Sequence, residues 1–99
     1  MLEIRLWLDD LRNMPLSFTH CARSVNSAKK LILQAEVEND IIELISLDHD
    51  LGDYAYDGGD GICLMDWMLE RMTLYPIEFH TANPVGRANM QRMKDKWWK

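Results

Sequence analysis

The chain has 99 residues, of which 47% are hydrophobic and 27% are charged, and its formal net charge is −5. This length supports one core, so we expect a single domain over residues 1–99. The acidic balance excludes a general basic surface for duplex DNA. Glu3, Arg5 and Asp9 interrupt any apolar stretch that could form a signal peptide or a membrane span, which predicts a cytoplasmic protein without a membrane segment.

The amino-terminal third predicts two strands. Residues 2–8 alternate apolar and mostly polar side chains, a period of two that indicates a strand ending at Asp9. After a short turn-like stretch, residues 18–23 are predicted as a second strand, with Phe18 and Cys21 among its buried positions. The only other cysteine is Cys63, and we expect both to be buried free thiols.

The middle of the chain predicts a helix and a central strand. Apolar residues recur with helical spacing over 28–35, with Ser24 or Asn26 as the N-cap. Residues 41–47 are nearly continuously apolar, as expected for a parallel strand covered on both faces, and the strand ends at Asp48. A glycine-rich loop follows over residues 51–61.

The carboxyl-terminal part predicts two more helices around a short strand. The first of these helices starts after Asp60 as the N-cap and carries a stripe of apolar side chains (Met65, Met68, Leu69 and Met72). Ile77 and Phe79 are predicted to lie on one face of a short strand that runs to residues 80–82, and Asn83 is the predicted N-cap of a helix with proline at its first position. That helix is predicted to turn Met90, Met93 and Trp97 inward. It is also locally basic, which fits a solvated face or a phosphate contact (Arg87, Arg92, Lys94, Lys96 and Lys99).

Alternating strands and helices imply a parallel sheet whose carboxyl ends share one edge, where such sheets bind ligands. Three aspartates, Asp9, Asp10 and Asp48, meet there. Carboxylates brought together repel unless a cation neutralises them, and an oxygen-only ligand set suits Mg²⁺ or Mn²⁺. The other interpretation is that each aspartate caps the loop that follows it.

Further polar side chains are predicted at the same edge. His49 and His80 are suited to proton transfer near neutral pH, with Asp50 to orient a histidine. The helix start after residue 83 offers free backbone N–H groups to a phosphate, and Gly86 allows close approach. Thr81, Asn83, Gly86 and Arg87 are accordingly predicted to bind the ligand.

The chain resembles the cyclic-phosphate-processing receiver-like domain family in four ordered segments: LWLDD (6–10), LDHDLG (47–52), DG (60–61) and HTANPVGRANM (80–90). The resemblance implies a compact, receiver-like (flavodoxin-like) three-layer α/β fold. Two departures from wider receiver domains are expected, a shortened first-helix region and no fifth strand. The lysine carried by that fifth strand is therefore missing, which argues against a phosphoaspartate switch at Asp48.

The resemblance implies recognition or processing of a cyclic phosphate in a nucleotide or nucleotide-derived signal, in phage or bacterial conflict. The leading hypothesis is a metal-dependent phosphoesterase in which His49 and His80 exchange protons with the nucleophile and the leaving oxygen. The alternatives are a non-catalytic module that sequesters a cyclic nucleotide or binds a protein partner, and a phosphoaccepting receiver.

Overall fold

The computed structural model describes residues 1–98; Lys99, predicted above as a basic residue of the last helix, lies outside this range. The elements in chain order are β1 (Glu3–Leu8), β2 (His20–Ala22), α1 (Val25–Val37), β3 (Ile41–Leu47), α2 (Ile62–Glu70), β4 (Ile77–Phe79) and α3 (Pro84–Trp97). A short 3₁₀ helix, Gly52–Tyr56, lies between β3 and α2.

All strands are parallel, in the order β2-β1-β3-β4. The crossovers from β2 to β3 and from β3 to β4 advance in one direction across the sheet, so right-handed connections place α1 and α2 on the same face. The connection from β1 to β2 runs in the opposite direction and crosses the other face. One buried cluster joins alternate strand residues to all three helices, including Leu6, Ile45, Ile32, Met65 and Met90.

The α/β class, the short parallel sheet and the receiver-like architecture are confirmed. Within residues 1–98, no α-helix lies between β1 and β2, and no strand follows β4. The layer on the second face is the short connection from β1 to β2. Its Phe18 ring meets the Trp7 ring edge-on, with centroids 5.1 Å apart.

The prediction for the second strand was wrong in two respects. The strand is shorter than predicted, His20–Ala22, and Cys21 is exposed. Cys21 pairs in register with Trp7, so it points to the face of the sheet that carries no helix. Phe18 is buried as predicted, both cysteines are free, and Cys63 is half-buried.

Two predicted side chains of the helices point elsewhere. Helix α2 ends at Glu70, so Met72 lies beyond it and is 87% exposed. Trp97 is 51% exposed, whereas Trp98 packs against the core in its place.

The helix starts were predicted with mixed success. Ser24 is the N-cap of α1 and accepts the Ser27 N–H, and Asn83 is the N-cap of α3. Asp60 does not cap α2, where Gly61 occupies the N-cap position. Instead, Asp60 Oδ1 accepts the N–H of Leu51 at 3.1 Å and closes the loop after β3.

Candidate functional site

A pocket of about 300 Å³ opens at the carboxyl ends of β1, β3 and β4. Its lining includes six of the predicted site residues, Asp9, Asp10, Asp48, Asp50, Thr81 and Asn83, together with Leu11, Arg12, Gly52 and Ala82. Because the sheet is parallel, three separate chain segments deliver these side chains to one edge. Among the predicted site residues, His49, His80, Gly86 and Arg87 do not line this pocket.

Asp9 lies at the bottom of the site and is 1% exposed. Burial alone would raise its pKa. The backbone N–H groups of Arg12 and Leu11 donate to Oδ1, both at 2.9 Å, and together with His80 they lower the pKa of Asp9 below its usual value. Asp9 is therefore a buried carboxylate that keeps its negative charge at neutral pH.

The pKa of Asp48 is shifted in the opposite direction to that of Asp9. Burial and the nearby charge of Asp9 raise the pKa of Asp48, although hydrogen bonds from Thr81 and from the His49 N–H oppose the shift. Ligand atoms of Asp9, Asp48 and His80 all lie within 4.8 Å of one another. A divalent cation beside Asp48 would favour its ionised form, and two carboxylates at this spacing suit such a cation.

Asp10 lines the same pocket but does not belong to that close group. Its Oδ2 lies beside Gly52, where a Cβ would come within 2.6 Å of it. Gly52 also has a positive φ of 52°, a conformation that glycine adopts at little cost. Gly52 therefore leaves room for the Asp10 carboxylate at the pocket wall.

His80 is held on three sides. Its Nε2 lies 3.0 Å from Asp9 Oδ2, its Nδ1 lies 2.8 Å from Ser46 Oγ, and its ring stacks on Trp7 with centroids 3.6 Å apart. Burial lowers the pKa of His80. The neutral ring then donates from Nε2 to Asp9 and accepts the Ser46 hydroxyl at Nδ1. Both nitrogens are thus engaged, and His80 serves to orient Asp9.

His49 is held differently. Its Nδ1 lies 2.8 Å from Asp50 Oδ1, and Asn83 Nδ2 donates to both Asp50 oxygens at 3.0 and 3.2 Å. These contacts lower the pKa of Asp50, with the His49 bond as the larger cause. Within residues 1–98, Nε2 of His49 has no hydrogen-bond partner. The imidazole therefore lies behind Asp50, which is the group that reaches the pocket.

The structure does not bring Gly86 and Arg87 to the pocket. The Gly86 N–H donates to Asn83 Oδ1 at 3.0 Å, and a Cβ at Gly86 would come within 2.4 Å of His49 Cγ. Gly86 therefore makes room for the His49 ring. Arg87 contacts the backbone of Phe79 instead.

Sequence reasoning missed Arg12, Ser46 and Trp7. Arg12 supplies the positive charge of the pocket, with Nε 3.8 Å from Asp9 Oδ2 and a terminal nitrogen 2.8 Å from the His80 carbonyl oxygen. Ser46 gave a signal as a polar residue within the apolar run of β3. Trp7 gave none, because aromatic residues are common in strands.

The family model of the cyclic-phosphate processing receiver domain matches residues 4–96. The chain belongs to this family. No curated protein and no solved structure shows a significant match to this receiver domain. Its family description relates it to cyclic phosphates, and the two carboxylates of its Asp9, Asp48 and His80 cluster could hold a metal ion. Among the described helices of the receiver domain, none is long and apolar enough to cross a bilayer.

Proposed function

We propose that this receiver domain is a cytoplasmic protein that uses Mg²⁺ or Mn²⁺ to bind and hydrolyse a cyclic phosphate in a nucleotide or nucleotide-derived signal. The observation that carries the proposal is the pair of buried carboxylates, Asp9 and Asp48, at the bottom of an open pocket. The negative charge of Asp9 disfavours ionisation of Asp48, and a cation would remove that conflict. Asp9, Asp10 and Asp48 would hold it.

When bound, the cation would polarise a phosphate oxygen and lower the pKa of a water molecule. Hydrolysis forms one bond from water oxygen to phosphorus and breaks one ester bond of the ring, which leaves a linear phosphomonoester. The water loses a proton, and the leaving oxygen gains one. His49 is the proposed proton carrier and would act through Asp50, because Asp50 lines the pocket and its Oδ1 lies 2.8 Å from His49 Nδ1.

The other side chains position these groups. His80, fixed by Ser46 and Trp7, orients the Asp9 carboxylate. Thr81 and Asn83 lie at the wall of the pocket where phosphate oxygens would bind, and the Arg12 guanidinium offsets part of the added negative charge.

A second candidate function is binding without turnover, which would sequester a cyclic nucleotide. One observation favours it: both ring nitrogens of His80 are engaged, so the site has one imidazole free for proton transfer where the sequence predicted two. A role in binding a protein partner would leave the pocket without a small ligand.

Calorimetric titration with Mg²⁺, Mn²⁺ and a panel of cyclic mononucleotides, cyclic dinucleotides and 2′,3′-cyclic ends, followed by mass analysis, tests these proposals. Conversion to a linear product supports hydrolysis, and binding without conversion supports sequestration. Asp48→Asn should weaken Mn²⁺ binding by at least about tenfold. The matched control is Asp66→Asn, an equal change of charge at an exposed position of α2. Equal Mn²⁺ affinity in the two variants would contradict the proposed metal site.

A further inference from the structure

Strand β4 is the last strand of the sheet in the described residues, so one of its edges has no neighbouring strand. Pro76 and His80 make the backbone hydrogen bonds to β3. The backbone N–H and C=O groups of the even-numbered residues of β4 therefore point towards β3. Tyr75, Ile77 and Phe79 therefore turn their carbonyl groups outward. A row of unpaired backbone groups at a sheet edge is a template for pairing with another chain.

Three side chains at the end of the chain bind those three carbonyl oxygens. Trp98 Nε1 donates to Tyr75 at 2.8 Å, Lys94 Nζ donates to Ile77 at 3.1 Å, and Arg87 donates to Phe79 at 3.4 Å. Their spacing along and just beyond α3 places the donors on one face of the helix. They occupy acceptors that a fifth strand would otherwise use.

Although these three side chains cover the outer edge of β4, an open cleft remains beside it. A cleft of about 350 Å³ lies between the end of α3 and the outer side of β4, with Lys94 and Trp98 in its wall. The N–H groups of Ile77 and Phe79 point outward in the same way as their carbonyls. The backbone edge is therefore blocked at its acceptors, and of the two residues only Ile77 lines the cleft.

We infer that Arg87, Lys94 and Trp98 close the β4 edge and prevent it from pairing with the β4 edge of a second copy of this chain. Two identical edges can pair antiparallel around a two-fold axis, so a second copy is the complementary partner. Positively charged side chains are among the groups that edge strands use against such pairing. The inference is independent of the proposed function, because none of the three residues lines the pocket.

The test exchanges the donors for side chains of similar size, in the variant Arg87→Met, Lys94→Met, Trp98→Phe. The matched control makes the same exchanges on the same helix, Arg92→Met, Lys96→Met, Trp97→Phe, at exposed positions. Light scattering over a wide range of protein concentration should give one chain mass for the wild type and the control. The first variant should reach at least two chain masses.

Amide hydrogen exchange then locates the new contact. The Ile77 and Phe79 amides should exchange more slowly in the associated variant than in the wild type. A folded variant that stays monomeric overturns the inference, as does association that leaves those amides unprotected or that occurs equally in the control. If circular dichroism shows that the triple variant is unfolded, Lys94→Met alone decides by the same measurements, since its ammonium group caps the Ile77 carbonyl. Self-association of the wild type through β4 would also overturn the inference.

Discussion

At the scale of single residues, the two histidines of the site differ in what remains free. His80 has both nitrogens engaged and a ring stacked on Trp7, whereas His49 has one engaged nitrogen. Both stand behind a carboxylate that lines the pocket. The geometry therefore separates His80, which orients the Asp9 carboxylate, from His49, which contacts Asp50 and keeps its second ring nitrogen free among the described residues.

Alanine variants of the histidines should separate these two functions. His80→Ala should weaken Mn²⁺ binding by about tenfold or more, because Asp9 loses the donor that orients it. His49→Ala should retain Mn²⁺ affinity and lower turnover of the cyclic phosphate by about a hundredfold, because a positioned proton carrier usually accelerates a reaction by at least that factor. His20→Ala is the matched control, since His20 contacts Thr19 away from the pocket. Unchanged Mn²⁺ affinity in His80→Ala would refute the orienting function.

Gly86 offers a test of the packing under His49. Gly86→Ala should lower the free energy of unfolding by about 1–3 kcal/mol, because the new methyl group overlaps the imidazole. In a His49→Ala background the same substitution should be stabilising by up to about 1 kcal/mol, because alanine is a better helix former than glycine. Urea unfolding of the four chains in a double-mutant cycle measures the difference. Equal effects in both backgrounds would mean that the ring does not rest on Gly86.

At the scale of elements, the start of α1 holds the loop that follows β3. Ser24 Oγ donates to Asp57 Oδ2 at 2.7 Å while it also accepts the Ser27 N–H. Asn26 adds two bonds to Asp57, one from its side chain and one from its backbone N–H. The 3₁₀ helix Gly52–Tyr56 buries none of its residues, so these contacts and the Asp60 bond to Leu51 set its position.

Removing the Ser24 hydroxyl should destabilise both the start of α1 and the 3₁₀ helix Gly52–Tyr56. Ser24→Ala should cost about 1–2 kcal/mol of unfolding free energy through the lost cap and should speed amide exchange over residues 52–57. Ser27→Ala keeps the cap and should have a smaller effect at its exposed position. If Ser24→Ala changes stability and leaves exchange in the loop unaltered, Ser24 acts on the helix alone.

The chain order of elements and the strand-end aspartates could be predicted because periodicity reports burial, and parallel strands bring their carboxyl ends together. Contacts between side chains of different strands could not be predicted from the sequence. The Ser46 and Trp7 contacts to His80 depend on strand register, which no local pattern specifies. Asp60 was misassigned as a cap because the tight approach of Gly61 is invisible in sequence: a Cβ there would lie 1.8 Å from the Asp48 carbonyl oxygen.

At the scale of the whole molecule, the two ends of the sheet carry different groups. The pocket occupies the carboxyl end, and a smaller ionic cluster lies at the amino end. There, Glu36 of α1 meets Arg71 at 2.6 Å and accepts a hydrogen bond from the Tyr75 hydroxyl. This cluster links the ends of α1 and α2 to the segment before β4, so its charge state should affect global stability without involving the pocket.

The contribution of this cluster to the free energy of unfolding should be lost at both acid and alkaline pH. The Arg71 bond lowers the pKa of Glu36, so its contribution is present above pH 4.5, the usual pKa, and is lost as pH falls through the lowered value. Burial and Glu36 raise the pKa of Tyr75 to about 12, so its contribution is present below pH 10 and is lost as pH rises towards 12. Between these limits the Glu36–Arg71 pair should contribute about 1 kcal/mol after solvent screening.

Urea unfolding with a chelator, from pH 3 to pH 12, measures both limits. Glu36→Gln should reduce the acid-side loss, and Tyr75→Phe should reduce the alkaline-side loss. Glu70→Gln is the control, an equal change of charge on an exposed residue next to Arg71. If Glu36→Gln and Glu70→Gln shift the acid limit equally, the effect reflects net charge alone. A larger shift for Glu36→Gln would mean that the link between the two helix ends stabilises the whole fold.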